Sequence, residues 1–559
     1  MKANDTLMMK FLEGSKQFVV PLFQRTYSWG NPQLETLWND VESTRNGEES
    51  VHFFGSFVSE PLPSSASGVS RFVVIDGQQR LVTTFVFLAA LRNRIKEMDP
   101  SSQLKEEIHD LYLTNRYHPE DKYKLVPTQA DRQIYFDLVD DKQSIVSNFH
   151  LLLYAKKFFA DKLSKIDDIS ELTVLKNIIL SHFSAVDVRL EASDDPYLVF
   201  ESLNAKGTPL TQADLIRNYL FMRVGLDNQE QVYKDLWFPM QQNLSDNLEG
   251  YVRHYLAMDG SIPSFERIYG IFREKANKTA KNEKQVLELI EDLVRFASYY
   301  ELLLHPEKEK QEQLKAGLTK LNRLEVSTSY PLLLRLYDDY NEGKLSEEDF
   351  GKVLKLIETY IIRRAVCGVP TNVLNRYFPT VYQNLDKNKI PESLSLRLQS
   401  QTGQQRLPDT GEFESALLSN SMYGDKIVKF ILEEIERHDN KEVVDFTNLQ
   451  IEHIMPQTLS DEWENDLRSQ LTEEDIRQGK TPNQIHQKYV DTMGNLTLTG
   501  YNPEYFNKRF VEKRDMPKGY KDSNLKINSN IAKLNKWGEQ EIQDRAKYLS
   551  TLASKIWET

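Results

Sequence analysis

Two runs in this chain gather side chains that could work on phosphates. One is Ile451-Glu452-His453-Ile454-Met455-Pro456, followed by Gly494-Asn495-Leu496-Thr497-Leu498 and then by Asn502, Asn507, Phe510 and Lys513. Phosphodiester hydrolysis needs a base to activate water and a divalent cation to bind the scissile phosphate and stabilise the leaving oxygen. Hard cations such as Mg²⁺ prefer oxygen ligands and keep several waters. A carboxylate beside a histidine, with an asparagine carbonyl from another element, meets that demand. Glu452 and His453 are adjacent, so a strand would face them opposite ways. A turn or strand end there would let both reach one site.

The second run pairs Pro21-Leu22-Phe23-Gln24-Arg25-Thr26-Tyr27-Ser28-Trp29 with Ile75-Asp76-Gly77-Gln78-Gln79-Arg80-Leu81. The latter reads as a strand, a sharp turn and a helix start. Gly77 can adopt a positive φ, and free N–H groups at the new helix favour an anion. Arg25 and Arg80 can add bidentate phosphate contacts, and Asp76 can hold a metal or orient water. Thr83 and Thr84, in the first turn, could reach the same phosphate. No GxxxxGK[ST] loop occurs in the chain, so this is not a Walker A site. A further stretch runs from Val199 through Asn204, Lys206 and Gly207 to Thr211 and Asn218. It reads as a loop capped by Thr211 into a helix, with Asn204 and Lys206 facing a nucleotide.

These residues need elements to hold them. Phe18–Pro21, Phe53–Val58 and Arg71–Ile75 read as short strands. Asn31-Pro32 reads as a helix start, with Leu34, Leu37, Trp38 and Val41 along one face. A second helix runs from Arg80 to Met98 with Leu81, Phe85, Leu88, Arg92 and Ile95 in one row. Pro61–Ser70 reads as a loop or lid. Residues 100–400 are mostly helical in pattern, except that Ala185–Val188 alternates and could return to the N-terminal sheet. Gln399–Glu412 is the best linker, and Arg363-Arg364 fits an interdomain surface.

With 559 residues, the chain should hold roughly two to four domains. A single cysteine, Cys367, excludes an internal disulfide framework and a CxxC zinc cluster. No secretory signal is visible, and the most apolar stretch, Phe85–Leu91, is far short of a membrane span. Composition therefore points to a cytoplasmic protein without a membrane partner. A net charge of −13 argues against a protein that coats nucleic acid nonspecifically. Yet between Tyr501 and Lys536 nine basic residues face four acidic ones, a local surface fit for phosphates.

The C-terminal motifs resemble the HNH superfamily, specifically the nuclease domain of GmrSD-type restriction proteins with its EHIxP and GNLTL signatures. The PxxQRxYxW and DGQQR motifs resemble that family's N-terminal domain, itself related to the ParB and sulfiredoxin group. The resemblance implies an α+β, multidomain chain. Residues 1–225 would be a ParB/sulfiredoxin-like α/β nucleotide-sensing domain, 226–400 a helical connector, and 401–559 a mainly helical domain containing a ββα-metal (HNH) nuclease. It also implies roles. His453 would be the general base and Glu452 a metal ligand, while Asn495 would hold the imidazole or the loop. Asn502 or Asn507 would supply a second ligand. An asparagine where many HNH enzymes have a last histidine favours Mg²⁺ or Mn²⁺ over zinc or nickel. Gln24, Arg25, Asp76, Gly77, Gln78, Gln79, Arg80 and Thr83 would bind a nucleoside triphosphate. The implied function is restriction of modified phage DNA, with homo-oligomerisation left open. The rivals are a nucleotide-gated, ParB-like binding switch and an RNA-cleaving toxin with the same core.

Overall fold

The computed structural model describes the chain except for residues 23, 63–67, 143–149, 192–193, 195, 197–198, 200–210, 441, 443 and 501–504. It divides into two compact units, residues 1–249 with 265–294, and residues 250–264 with 295–559.

The first unit is built on a six-stranded mixed sheet. Its strands are β1 (Lys2–Leu7), β2 (Lys16–Val19), β3 (His52–Pro61), β4 (Ser70–Asp76), β5 (Leu125–Val126) and β6 (Phe183–Arg189), in the order β1-β6-β3-β4-β2-β5. The three strands expected from Phe18, Phe53 and Arg71 are β2, β3 and β4, and the alternating Ala185–Val188 run lies in β6, between β1 and β3. Alternation along β4 feeds two cores, since successive side chains leave a strand on opposite faces. Phe72 and Val74 enter the main cluster, while Val73 and Ile75 join Val58, Val188 and Leu190 in a smaller one.

Helix α1 (Asn31–Arg45) buries Leu34, Leu37, Trp38 and Val41, with proline in its first turn as its sequence predicts. Helix α2 (Gln78–Met98) is the buried centre of the unit, with Leu81, Phe85, Leu88 and Ile95 fully inaccessible. Helix α3 (Leu151–Leu163) packs on it and buries Leu152, Ala155 and Phe159. Gly77 joins β4 to α2 at a φ of +90°. A Cβ there would lie 2.6 Å from the Phe57 ring and 2.9 Å from the Ser56 carbonyl oxygen. Both the turn and the packing therefore require glycine.

Among the described residues, the second unit is helical apart from a two-stranded antiparallel ribbon, β7 (Gln450–His453) with β8 (Leu496–Thr499). Two expectations change here. Arg363 and Arg364 are fully buried rather than lining a surface. Arg363 donates to the carbonyls of Trp557 and Pro408, and Arg364 to those of Gln404 and Arg406. Tyr360 also donates to the Gln405 carbonyl. The polar stretch 399–412 is thus pinned by arginines that need acceptors in a dry interior, and it is not a free linker.

Gly77→Ala should destabilise the N-terminal unit by about 1–3 kcal/mol, because an L residue is strained at that φ. Differential scanning calorimetry should show a transition several degrees lower. An unchanged thermogram would contradict the left-handed turn.

Candidate functional site

The C-terminal site sits where β7 ends. Opposite β7, Glu452 faces Thr497 and His453 faces Leu496 in the ladder. Glu452 turns to helix α4 (Phe510–Asp515), where its Oε1 lies 2.6 Å from the Nζ of Lys513. Lys513 also donates to the carbonyls of His453, at 2.8 Å, and Ile454, at 3.2 Å. An ammonium has three protons, and here each finds an oxygen. Burial raises the Glu452 pKa and lowers that of Lys513, each opposed by the attraction within the pair.

His453 makes a different pair. Its Nε2 lies 3.1 Å from Oδ1 of Asp491, and the Tyr423 ring packs edge-on with centroids 4.2 Å apart. Burial lowers the imidazole pKa, and Asp491 partly offsets that shift. Asp491 keeps 35% of its side chain exposed, so this end of the pair opens to solvent. Sequence reasoning misses Asp491. Its one signal is an acid just before Gly494-Asn495, whereas Tyr423 gives none.

Asn495 holds the loop, not the imidazole. Its amide donates to the carbonyls of Met455 and Val490, and its Oδ1 accepts from the Met455 N–H and the Trp537 indole. That uses the full capacity of a primary amide and ties the residues after His453 to those beside Asp491. Gly494 is required because a Cβ would lie 2.2 Å from the Ile542 carbonyl. Asn507 stands half-exposed in a turn before α4, and Asn502 lies outside the described residues. Among the described residues, no group of three or more histidine, cysteine, aspartate or glutamate side chains could hold a metal ion.

The basic stretch after Tyr501 is largely spent internally. Lys513 and Arg514 are buried. Arg509 pairs with Asp466, Arg514 and Lys521 with Asp515, and Lys536 with Glu541. The nine cations therefore do not form one exposed phosphate surface; Lys508, Lys518, Lys526 and Lys533 remain exposed.

In the N-terminal unit the two motifs do meet, and their glutamines join them. Gln24 donates to the Ile75 carbonyl at 2.8 Å, and Gln78 to that of Arg25 at 3.2 Å. Gln79 accepts from the Ser28 N–H at 2.8 Å and donates to the Thr26 carbonyl at 3.2 Å. Thr83 is fully buried, with its hydroxyl shared between the Gln79 carbonyl and the Tyr27 hydroxyl. Thr84 is buried too and donates to the Arg80 carbonyl. The helix begins at Gln78, so both threonines fall in its second turn rather than the first. Each bonds back to the carbonyl four residues earlier as mid-helix hydroxyls readily do, leaving neither free for a phosphate.

What stays open is smaller. Asp76 and Arg80 each keep 29% of their side chains exposed and lie 3.6 Å apart. Arg80 donates to the Ser56 carbonyl, and its buried Nε has no hydrogen-bond partner. Arg25 is half-exposed. The start of α2 beside them leaves its first N–H groups free of intrahelical partners. These groups suit a phosphate. Of the third stretch, residues 200–210, with Asn204 and Lys206, lie outside the described residues, while Thr211 caps the following helix through the Asp214 N–H.

Comparison with known families gives two matches. Residues 8–221 match the N-terminal domain of GmrSD restriction endonuclease, and residues 407–552 match the C-terminal domain of GmrSD restriction endonucleases. Together the matches take in more than half of the chain. No curated protein matches it.

The ion pair makes a stability prediction. Lys513→Met should cost about 3–5 kcal/mol, because Glu452 is left buried and unpaired. The Glu452→Met/Lys513→Met double variant should recover most of that loss in urea unfolding. Equal losses in both would show that the charges are not paired.

Proposed function

The chain belongs to the GmrSD restriction endonucleases, and we propose that it cuts DNA with His453 as general base, oriented by Asp491. The observation that carries this reading is the 3.1 Å contact between His453 Nε2 and Asp491 Oδ1 at the end of β7. An ionised carboxylate only accepts hydrogen bonds, so Nε2 carries the proton and Nδ1 keeps its lone pair. The lowered pKa keeps the ring neutral at physiological pH, as a base must be. Nδ1 takes a proton from water as the oxygen attacks phosphorus, and the bond to the leaving strand's oxygen breaks, that oxygen departing as an alkoxide that takes a proton from solvent.

The ribbon β7–β8 followed by α4 supports a ββα reading of this region, with Lys513 joining the parts. The divalent cation expected from the sequence, Mg²⁺ or Mn²⁺, does not fit Glu452 as that residue stands, since Lys513 holds its carboxylate. The described residues support base chemistry through His453 and Asp491, and a metal titration of cleavage tests the cation separately.

The N-terminal unit is proposed to bind a nucleoside triphosphate at the start of α2. Phosphate oxygens would meet the free N–H groups there and the guanidiniums of Arg80 and Arg25, with Asp76 beside them. Gln24, Gln78, Gln79 and Thr83 serve this site indirectly, by fixing the loop against the helix. A ParB-like ancestry, action against modified phage DNA and a cytoplasmic setting accord with the family and complete the proposal. Incubating the protein with modified and unmodified phage DNA, with and without nucleotide and Mg²⁺, tests it directly. RNA cleavage in a parallel tube, or DNA binding without cutting, would overturn it.

His453→Ala should lower cleavage by about 10²–10⁴-fold and leave nucleotide binding intact. Asp491→Asn should lower it in the same direction with unchanged DNA affinity. Cleavage within a few-fold of the parent in either variant would contradict the assigned role. Arg80→Ala should weaken triphosphate binding and alter cleavage. If nucleotide changes DNA affinity, DNA must change nucleotide affinity by the same factor. Titrations with the His453→Ala protein measure both, and equal nucleotide affinities with and without DNA would mean the sites are uncoupled.

A further inference from the structure

A cavity of about 990 Å³ opens beside helix α3 in the first unit. Its floor is apolar, formed by Ile134, Leu138, Leu153 and Phe158. Around that floor stand Lys142, Lys156, Lys157, Lys162 and Lys165, against the carboxylates of Glu35 and Asp161. Lys162 is bound to Glu35 at 2.8 Å, and Lys142 to Asp140 at 3.0 Å. The charge of Lys156 is felt by Asp141. Among the described residues, no carboxylate lies within ion-pair distance of Lys156, Lys157 or Lys165. In a chain of net charge −13, such a gathering of cations does not follow from composition.

One aromatic ring adds to the charge. Tyr154 is 41% exposed, and its hydroxyl donates to Asn31 Oδ1 at 3.0 Å, so the ring is held by its tip with its body open. Ammonium groups take phosphates without regard to sequence, and an exposed ring offers any base a face to stack on. A concave surface with an excess of one sign, here five lysines against two carboxylates, also concentrates the opposite charge. None of these residues belongs to the motifs of either site described above.

Resting on the reading of the chain as a DNA endonuclease, we propose that this cavity docks a strand of the DNA substrate, with Lys156, Lys157 and Lys165 taking successive phosphodiesters and Tyr154 stacking on a base. A strand carries a phosphate at every nucleotide and can engage several lysines at once.

The test uses the full-length His453→Ala protein, so that DNA stays intact, and measures binding of labelled duplex and single strand across a salt series. Lys156→Ala/Lys157→Ala/Lys165→Ala should weaken both. The slope of log affinity against log salt should flatten by about 0.9 for each duplex phosphate that no longer meets a lysine. Tyr154→Ala should weaken single-strand binding more than duplex binding. Lys157→Ala alone, at an exposed position where folding is not at stake, should flatten the duplex slope by about 0.9. Lys352→Ala, an exposed lysine of the second unit, should change neither, and ATP affinity should be unaltered in all variants. Parental DNA affinity and salt slope in the triple variant would overturn the proposal. So would loss of ATP binding with DNA binding retained, which would make the cavity a site for free nucleotide.

Discussion

The ammonium of Lys513 is wholly buried, and the geometry around His453 depends on how its three protons are used. An ammonium without partners in a dry interior costs several kcal/mol. Glu452 supplies one acceptor, and the carbonyls of His453 and Ile454 supply the others. The helix bearing Lys513 is thereby tied to the end of the strand bearing His453. This arrangement gives Glu452 a structural task and leaves Asp491 as the carboxylate that meets the imidazole. Asn495, with every hydrogen-bonding site filled, fixes the next stretch of chain.

The N-terminal unit reaches a comparable result with neutral groups. Glutamine carries both a donor and an acceptor, so it can close a loop onto a helix start without burying charge. Gln24, Gln78 and Gln79 do this across the turn at Gly77. The polar residues of the motif divide into those that build the turn and those that stay near solvent. Asp76, Arg80 and Arg25 belong to the second group.

Much of this was legible where local pattern and long-range packing agree. The row Leu81, Phe85, Leu88, Arg92 and Ile95 predicts a buried helix face, and all five are buried. Strand β1 gave no such signal. Its sequence is polar and mostly exposed, and backbone pairing with β6 places it in the sheet, with Lys2 also paired to Glu191. Thr83 reads as available because its place near the start of the helix is visible in the sequence, whereas its partner Tyr27 comes from a distant loop. Lys513 looked like surface charge for the same reason. The pairing of His453 with Asp491 depends on a contact between β7 and the residues just before β8, which spacing alone does not reveal.

The central claim is that Asp491 sets the tautomer of His453 and leaves Nδ1 as the base. The ¹⁵N shifts of the His453 ring, assigned by comparison with His453→Ala, test this most directly. The account predicts a protonated Nε2 and an unprotonated Nδ1 at neutral pH, with that preference lost in Asp491→Asn. A proton on Nδ1 in the parent protein, or a tautomer indifferent to Asp491, would contradict it.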